Sequence, residues 1–159
     1  MDTICTNARA VARYIISRQR EPGMNTYELT NMRLQKLLYF AQGFVLGRNG
    51  KPLFADPFHA LPYGPVCLDI YGMLKQYAND TIPISAGEQN LESLDPAFDV
   101  RDYLDIVMRW ANNYTTWQLV GKSHVEGGPW ARIWVPGTIW YREIPLTLIA
   151  SYFGKFFNN

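Results

Sequence analysis

One stretch constrains the fold more than any other. "LTNMRLQKLLYFAQGFVLGRNG" runs from Leu29 to Gly50. Leu34, Leu37, Leu38, Ala41 and Phe44 recur at helical spacing, with Tyr39 and Phe40 beside them. So wide an apolar face cannot be left on a surface, and the helix is predicted to run through the centre of the core. Thr30 is placed to cap it, and Leu29 can meet Leu34 as a hydrophobic staple. Gly47 and Gly50 are read as its stop. Lys36 is out of character on this helix. If its stem is buried, its ammonium needs an oxygen partner or an open route to water.

The flanking segments read as further helices with a small β element. Ile4, Ala8, Val11, Ala12 and Ile15 mark an amphipathic first helix of about five turns, capped by Asp2 or Thr3 and ended by Glu21-Pro22-Gly23. Leu53-Phe54 and Phe58 to Tyr63 suggest two short strands around Asp56-Pro57. In "YGPVCLDIY", residues 63–71, Gly64 is read as a cap and Pro65 as the first position of a helix reaching about Tyr77. Residues 78–95 are polar and read as a loop. Asp95 or Pro96 opens a helix with the stripe Val100, Tyr103, Leu104, Val107, Ala111 and Tyr114. Thr115 and Gln118 have capping-box spacing for a helix over 116–124. "IWVPGTIWY" suggests a hairpin, and Pro145 starts a last helix. The expected fold is mainly α (α+β): one compact domain over 1–159, with about six helices and a small β-hairpin.

The net charge is only +1, so the chain as a whole does not attract nucleic acid or lipid. The charges are unevenly spread. Residues 1–51 carry eight Lys/Arg against three Asp/Glu, and residues 52–105 carry two against nine. Candidate partner-facing charges are Arg9 and Arg13 on the first helix and Asp95, Asp99 and Asp102 on another; the plainer reading is solvated surface. No stretch is long enough to span a membrane, and the N-terminus lacks the apolar run of a secretory signal. Two cysteines, Cys5 and Cys67, make no disulfide framework, so a cytoplasmic, reduced protein is expected.

The residues that could carry chemistry are few. Cys67 near a helix N-terminus, with His124 as base, would make a cysteine hydrolase; apolar neighbours on both sides equally suit a packed thiol. His124-Val-Glu126 matches the H-x-E of zinc deaminases, but no cysteine follows to complete the metal site. Neither a zinc-ligand spacing nor a P-loop is present, and no cofactor is expected. A nucleic-acid-binding regulator rests on the basic first helix alone.

Three motifs taken together, "MRLQKLLYFAQGFVL", "ALPYGPVCLDIYGML" and "SHVEGGPW", resemble the Panacea domain family of SocA-like, phage-associated GepA-like antitoxins. The matching positions are Leu34, Lys36, Leu37, Tyr39 and Gln42; Tyr63, Gly64, Pro65, Val66 and Tyr71; and His124, Gly127, Pro129 and Trp130. The resemblance implies a non-enzymatic bacterial or prophage antitoxin that neutralises a cognate protein toxin by direct binding. It also brings in an adaptor role, known for one family member, that delivers the toxin to the ClpXP protease. In the family the position after "YGPV" is not a fixed cysteine, which favours a packed Cys67. Gly64-Pro65 and Pro129-Trp130 are then expected to be rigid corners of a scaffold, with Tyr63 and Tyr71 packed about the first.

Overall fold

The computed structural model describes residues 2–4, 7–89 and 97–157. Helix α2 (Asn31–Asn49) forms the axis of the molecule. Thr30 Oγ1 accepts from the Arg33 N–H at 3.2 Å and caps its start. The helix runs straight through Gly47 and ends only at Gly50, which takes a left-handed φ of 72°. Gly47 is therefore no stop. A Cβ there would lie 2.5 Å from the backbone carbonyl carbon of Phe153, and a Cβ on Gly43 would lie 2.3 Å from the Phe153 ring. The two glycines open a seam on α2 into which the last helix, α8 (Leu146–Gly154), presses. Phe153 fills it, edge-on to Tyr39, Phe40 and Phe44.

The other helices surround this pair. Helix α1 (Ala8–Ser17) is shorter than expected, and neither Asp2 nor Thr3 caps it. Asn7 does, accepting from the Ala10 N–H at 3.0 Å, while Asp56 Oδ1 takes the Ala8 N–H at 2.8 Å. The preceding chain is drawn aside because the Ile4 N–H bonds the Pro52 carbonyl. A 3₁₀ turn over Arg18–Arg20 follows α1. Helix α3 (Leu68–Leu74) continues into a 3₁₀ turn at Lys75–Tyr77. A short helix α4 (Ala86–Gln89) lies inside the segment expected to be loop. Helix α5 (Phe98–Ala111) has its N-cap at Ala97. Asp95, and the helix start expected at Asp95 or Pro96, lie outside the described residues. Helix α6 (Thr116–Ser123) carries the full capping box at Thr115 and Gln118. Helix α7 (Pro129–Ile133) has proline at its first position.

Three antiparallel strands make the sheet, in the order β2–β1–β3. They are β1 (Phe58–Leu61), β2 (Gly64–Val66) and β3 (Glu143–Ile144). The hairpin is thus built at 58–66 and not at "IWVPGTIWY", whose residues supply the end of α7 and turns. Gly64 and Pro65 do not open a helix; they form β2, with Ala60 opposite Pro65 and Leu61 opposite Gly64. Gly64 has φ 113°, a conformation that favours glycine. A Cβ there would also lie 2.7 Å from Ser123 Oγ and 2.9 Å from Lys36 Cε. The local pattern of glycine then proline suits a helix start, but only a strand seats this backbone between α2 and α6.

The uneven charge seen in the sequence folds largely onto itself. Arg9 pairs with Asp69 at 2.8 Å, Arg18 with Asp105 at 3.1 Å, and Arg20 with Glu88 at 3.4 Å. Each pair joins the basic N-terminal segment to the acidic middle of the chain.

Candidate functional site: a groove built on the β1–β2 hairpin

Buried polar side chains are expensive unless they are hydrogen-bonded. Helix α2 buries Asn31, Arg33, Gln35, Lys36 and Gln42, and each binds backbone of another segment or a neighbour that does. Gln42 Nε2 donates to the Phe54 carbonyl and its Oε1 accepts from the Leu53 N–H, both at 2.7 Å. Arg33 donates to the carbonyls of Ala111 at 2.8 Å and Tyr114 at 3.0 Å, fixing the α5–α6 corner. Gln35 Oε1 accepts from the Cys67 N–H at 2.9 Å, and its amide donates to Asn31 Oδ1. Asn31 in turn donates to the Tyr71 carbonyl at 3.2 Å. Lys36 Nζ donates to the Pro65 carbonyl at 3.1 Å. Two polar letters of the first motif, Gln35 and Lys36, are therefore clamps on the backbone of the second, while Arg33 and Gln42 hold the α5–α6 corner and the segment before β1.

The third motif closes on the same hairpin. Trp130 Nε1 donates to the Leu61 carbonyl at 2.7 Å. His124, the C-cap of α6, stacks flat on the Trp130 ring. Gly127 makes the left-handed turn, φ 76°, between them, and Pro129 is buried at the head of α7. Leu34, Leu37 and Tyr39 are core, and Val66 is buried on β2.

The surface left above this framework is concave and aromatic. Tyr63, at the hairpin tip, and Tyr71 on α3 are 56% and 42% exposed. Trp117 of α6, 62% exposed, meets Tyr63 edge-on at 5.6 Å. A cavity of about 530 Å³ lies between α2, the hairpin and α3, lined among others by Met32, Lys36, Tyr63, Tyr71, Lys75 and Tyr141. A second hollow of about 440 Å³ continues from it past Met32, Tyr63 and Asn79 to Trp117. Ala78 lines both, with φ 49°, the one non-glycine residue with positive φ among those described. Such a backbone is strained and often marks a working surface.

Electrostatics set this site apart. Lys36 is 1% exposed, and burial pulls its ammonium down to about 7. His124 is also held below its ordinary value, first by burial and then by the charge of Lys36, with a backbone hydrogen bond at Tyr63 acting the other way. Its buried Nε2 has no hydrogen-bond partner among the described residues.

Cys67 occupies the N-cap position of α3, is 1% exposed, and has a thiol pushed up to about 12 by burial. Its side chain is packed, not poised. The charged candidates lie away from the groove. Arg9 and Arg13 are engaged within the chain, the latter donating to the Gly87 carbonyl at 3.1 Å. Asp99 and Asp102 are exposed on α5, and Asp95 is outside the described residues.

Trp117, Met32, Lys75, Ala78, Asn79 and Tyr141 were not singled out from the sequence. Trp117 had a usable mark. On α6 the buried residues are Leu119, Val120 and Ser123, and a tryptophan off that stripe has nothing within its own helix to cover it.

The family model described as Antitoxin SocA-like, Panacea domain, matches residues 34–131, which contain all three motifs. The chain is 32% identical over 136 residues to "Antitoxin SocA" of Caulobacter vibrioides (strain NA1000 / CB15N), covering 81% of this chain and 71% of that protein. No solved structure matches it significantly. The chain belongs to the SocA-like antitoxin, Panacea-domain family.

Proposed function

We propose that the protein is an antitoxin that binds a cognate protein toxin and blocks its working surface, with no bond made or broken. One observation carries the reading: all three motifs converge beneath the hairpin, and their only broadly exposed aromatic members, Tyr63 and Tyr71, open into a groove extended by Trp117. Exposed aromatics around a hollow are the usual anchors of protein–protein binding. The similarity to an antitoxin supports the same reading.

A cysteine hydrolase draws no support from a buried thiol whose ionisation is suppressed. A nucleic-acid regulator draws none from arginines already engaged within the chain. No described helix is long and apolar enough to cross a membrane, and the encounter with the toxin is assigned to the cytoplasm.

The test is expression of the neighbouring gene alone and then with this one. Toxicity rescued by the intact protein, and co-purification of the two products, are the expected results. Tyr63→Ala with Trp117→Ala should abolish rescue while leaving the melting temperature unchanged. A toxin that the double variant still neutralises would move the interface elsewhere. The reading includes hand-over to the ClpXP protease, which rests on the family resemblance alone. A toxin half-life that does not change when ClpX is removed rejects that step.

A further inference from the structure

The groove has a chemical bias that its aromatic walls do not explain. Among the described residues its lining contains two lysines, Lys36 and Lys75, and no carboxylate. This occurs beside a segment, residues 52–105, that holds nine acidic residues. Of these acids, Asp69, Glu88 and Asp105 turn toward arginines of α1 and the turn after it, and Asp56 accepts from the Ala8 N–H.

Lys36 is under-satisfied for so deep a cation. An ammonium has three donors, and its hydrogen bond here is to the Pro65 carbonyl. The described groups that face it offer no anion. They are His124 from α6, Tyr63 from the hairpin, Tyr71 and Lys75 from α3 and its following turn, and Tyr141 from the segment before β3. Gly64 lets the Lys36 stem pass because it has no side chain; a Cβ there would lie 3.3 Å from Nζ. A hydrocarbon residue would fill this space without leaving a cation to satisfy.

We infer that the groove receives an acidic side chain of the toxin, whose carboxylate seats against Lys36 Nζ while neighbouring toxin residues pack on Tyr63, Tyr71 and Tyr141. This rests on the antitoxin reading for its occupant. It goes beyond that reading in naming the chemistry of the contact and the residue that reads it. The arriving carboxylate supplies the counter-charge that the fold withholds. Lys36, half-protonated near pH 7 in the free protein, is then held protonated, so binding takes up a proton when the pH lies above about 7.

Two measurements test this. The first needs no toxin. With lysines labelled at 13Cε and the Lys36 resonance assigned by its loss in Lys36→Met, phenylacetate is titrated against its neutral isostere, phenylacetamide. Phenylacetate should raise the Lys36 titration midpoint, and phenylacetamide should not. Equal effects from both, or no effect from either, would overturn the carboxylate site. The second uses the co-purified toxin. Wild-type affinity should fall as pH is raised from 6.5 to 8.5. Lys36→Met should bind about tenfold or more weakly at pH 6.5, the scale of losing one partner of a buried charge pair, and show a flatter profile. Undiminished binding by a folded Lys36→Met overturns the inference and leaves the antitoxin reading standing. A phenylacetate response without any toxin rescue overturns the antitoxin reading and, with it, the assigned occupant.

Discussion

His124 and Trp130 lie face to face, ring centroids 3.7 Å apart and planes within 5°. The pair locks the end of α6 to the start of α7, and the Trp130 indole reaches on to the Leu61 carbonyl, so one side chain ties two helices to the hairpin. Trp130→Ala should cost about 3–5 kcal/mol in urea unfolding. Trp130→Phe keeps a ring under His124 but loses the N–H donor and part of the indole's volume, for about 1–3 kcal/mol. If both variants unfold at the wild-type midpoint, the tie carries no stability.

The seam on α2 makes a sharper distinction. Gly43→Ala and Gly47→Ala should each destabilise by about 1–3 kcal/mol through overpacking. Their rescue should differ. The obstacle at Gly43 is the Phe153 ring, so Phe153→Leu should recover part of the loss. At Gly47 the nearest atoms are Phe153 backbone, and the same change should recover nothing. Equal rescue of both would mean that α8 shifts as a body.

Lys36 gives stability a pH signature. Its folded midpoint is about 7 against an ordinary 10.5, so between those values the unfolded chain holds more protons than the folded one. Stability must rise with pH across that window. Above about pH 10 the sign reverses, because buried tyrosines such as Tyr39 and Tyr103 keep protons that the unfolded chain releases. Thermal unfolding of the wild type should therefore show a gain from pH 7 to 9, much reduced in Lys36→Met. Parallel curves for the two proteins would place the lysine in contact with water.

Cys67 should behave as a core residue. Native protein treated with iodoacetamide at neutral pH should leave the Cys67 peptide unmodified by mass spectrometry, and urea-unfolded protein should label it fully. Cys67→Val should retain rescue of the toxin. Rapid native labelling of Cys67 would contradict the packing described here.

What the sequence made legible was local. The Thr30 cap and the Thr115–Gln118 capping box are decided within four residues and could be read directly. The wide apolar face of α2 announced a central helix, and α2 is central. What it concealed was decided at long range. Gly47 looked like a stop and is instead the surface that α8 needs, from a residue more than 100 positions away. Gly64-Pro65 looked like a helix start and is a strand, because Lys36, Ser123 and β1 bound the space around it. Arg9 looked like a basic face and pairs with Asp69. Tyr63 and Tyr71, expected to pack about the Gly64-Pro65 corner, are instead exposed along the groove. Trp117, Tyr141 and Ala78 join them only through the fold.

The glycine seam on α2 also dictates when the molecule becomes complete. Ribosomes emit the N-terminus first, at about 5–20 residues per second, so Phe153 follows Gly47 by roughly 5–20 s. For that interval the seam at Gly43 and Gly47 stays unfilled. A nascent chain halted before α8 would leave this strip of the core open to chaperones and proteases.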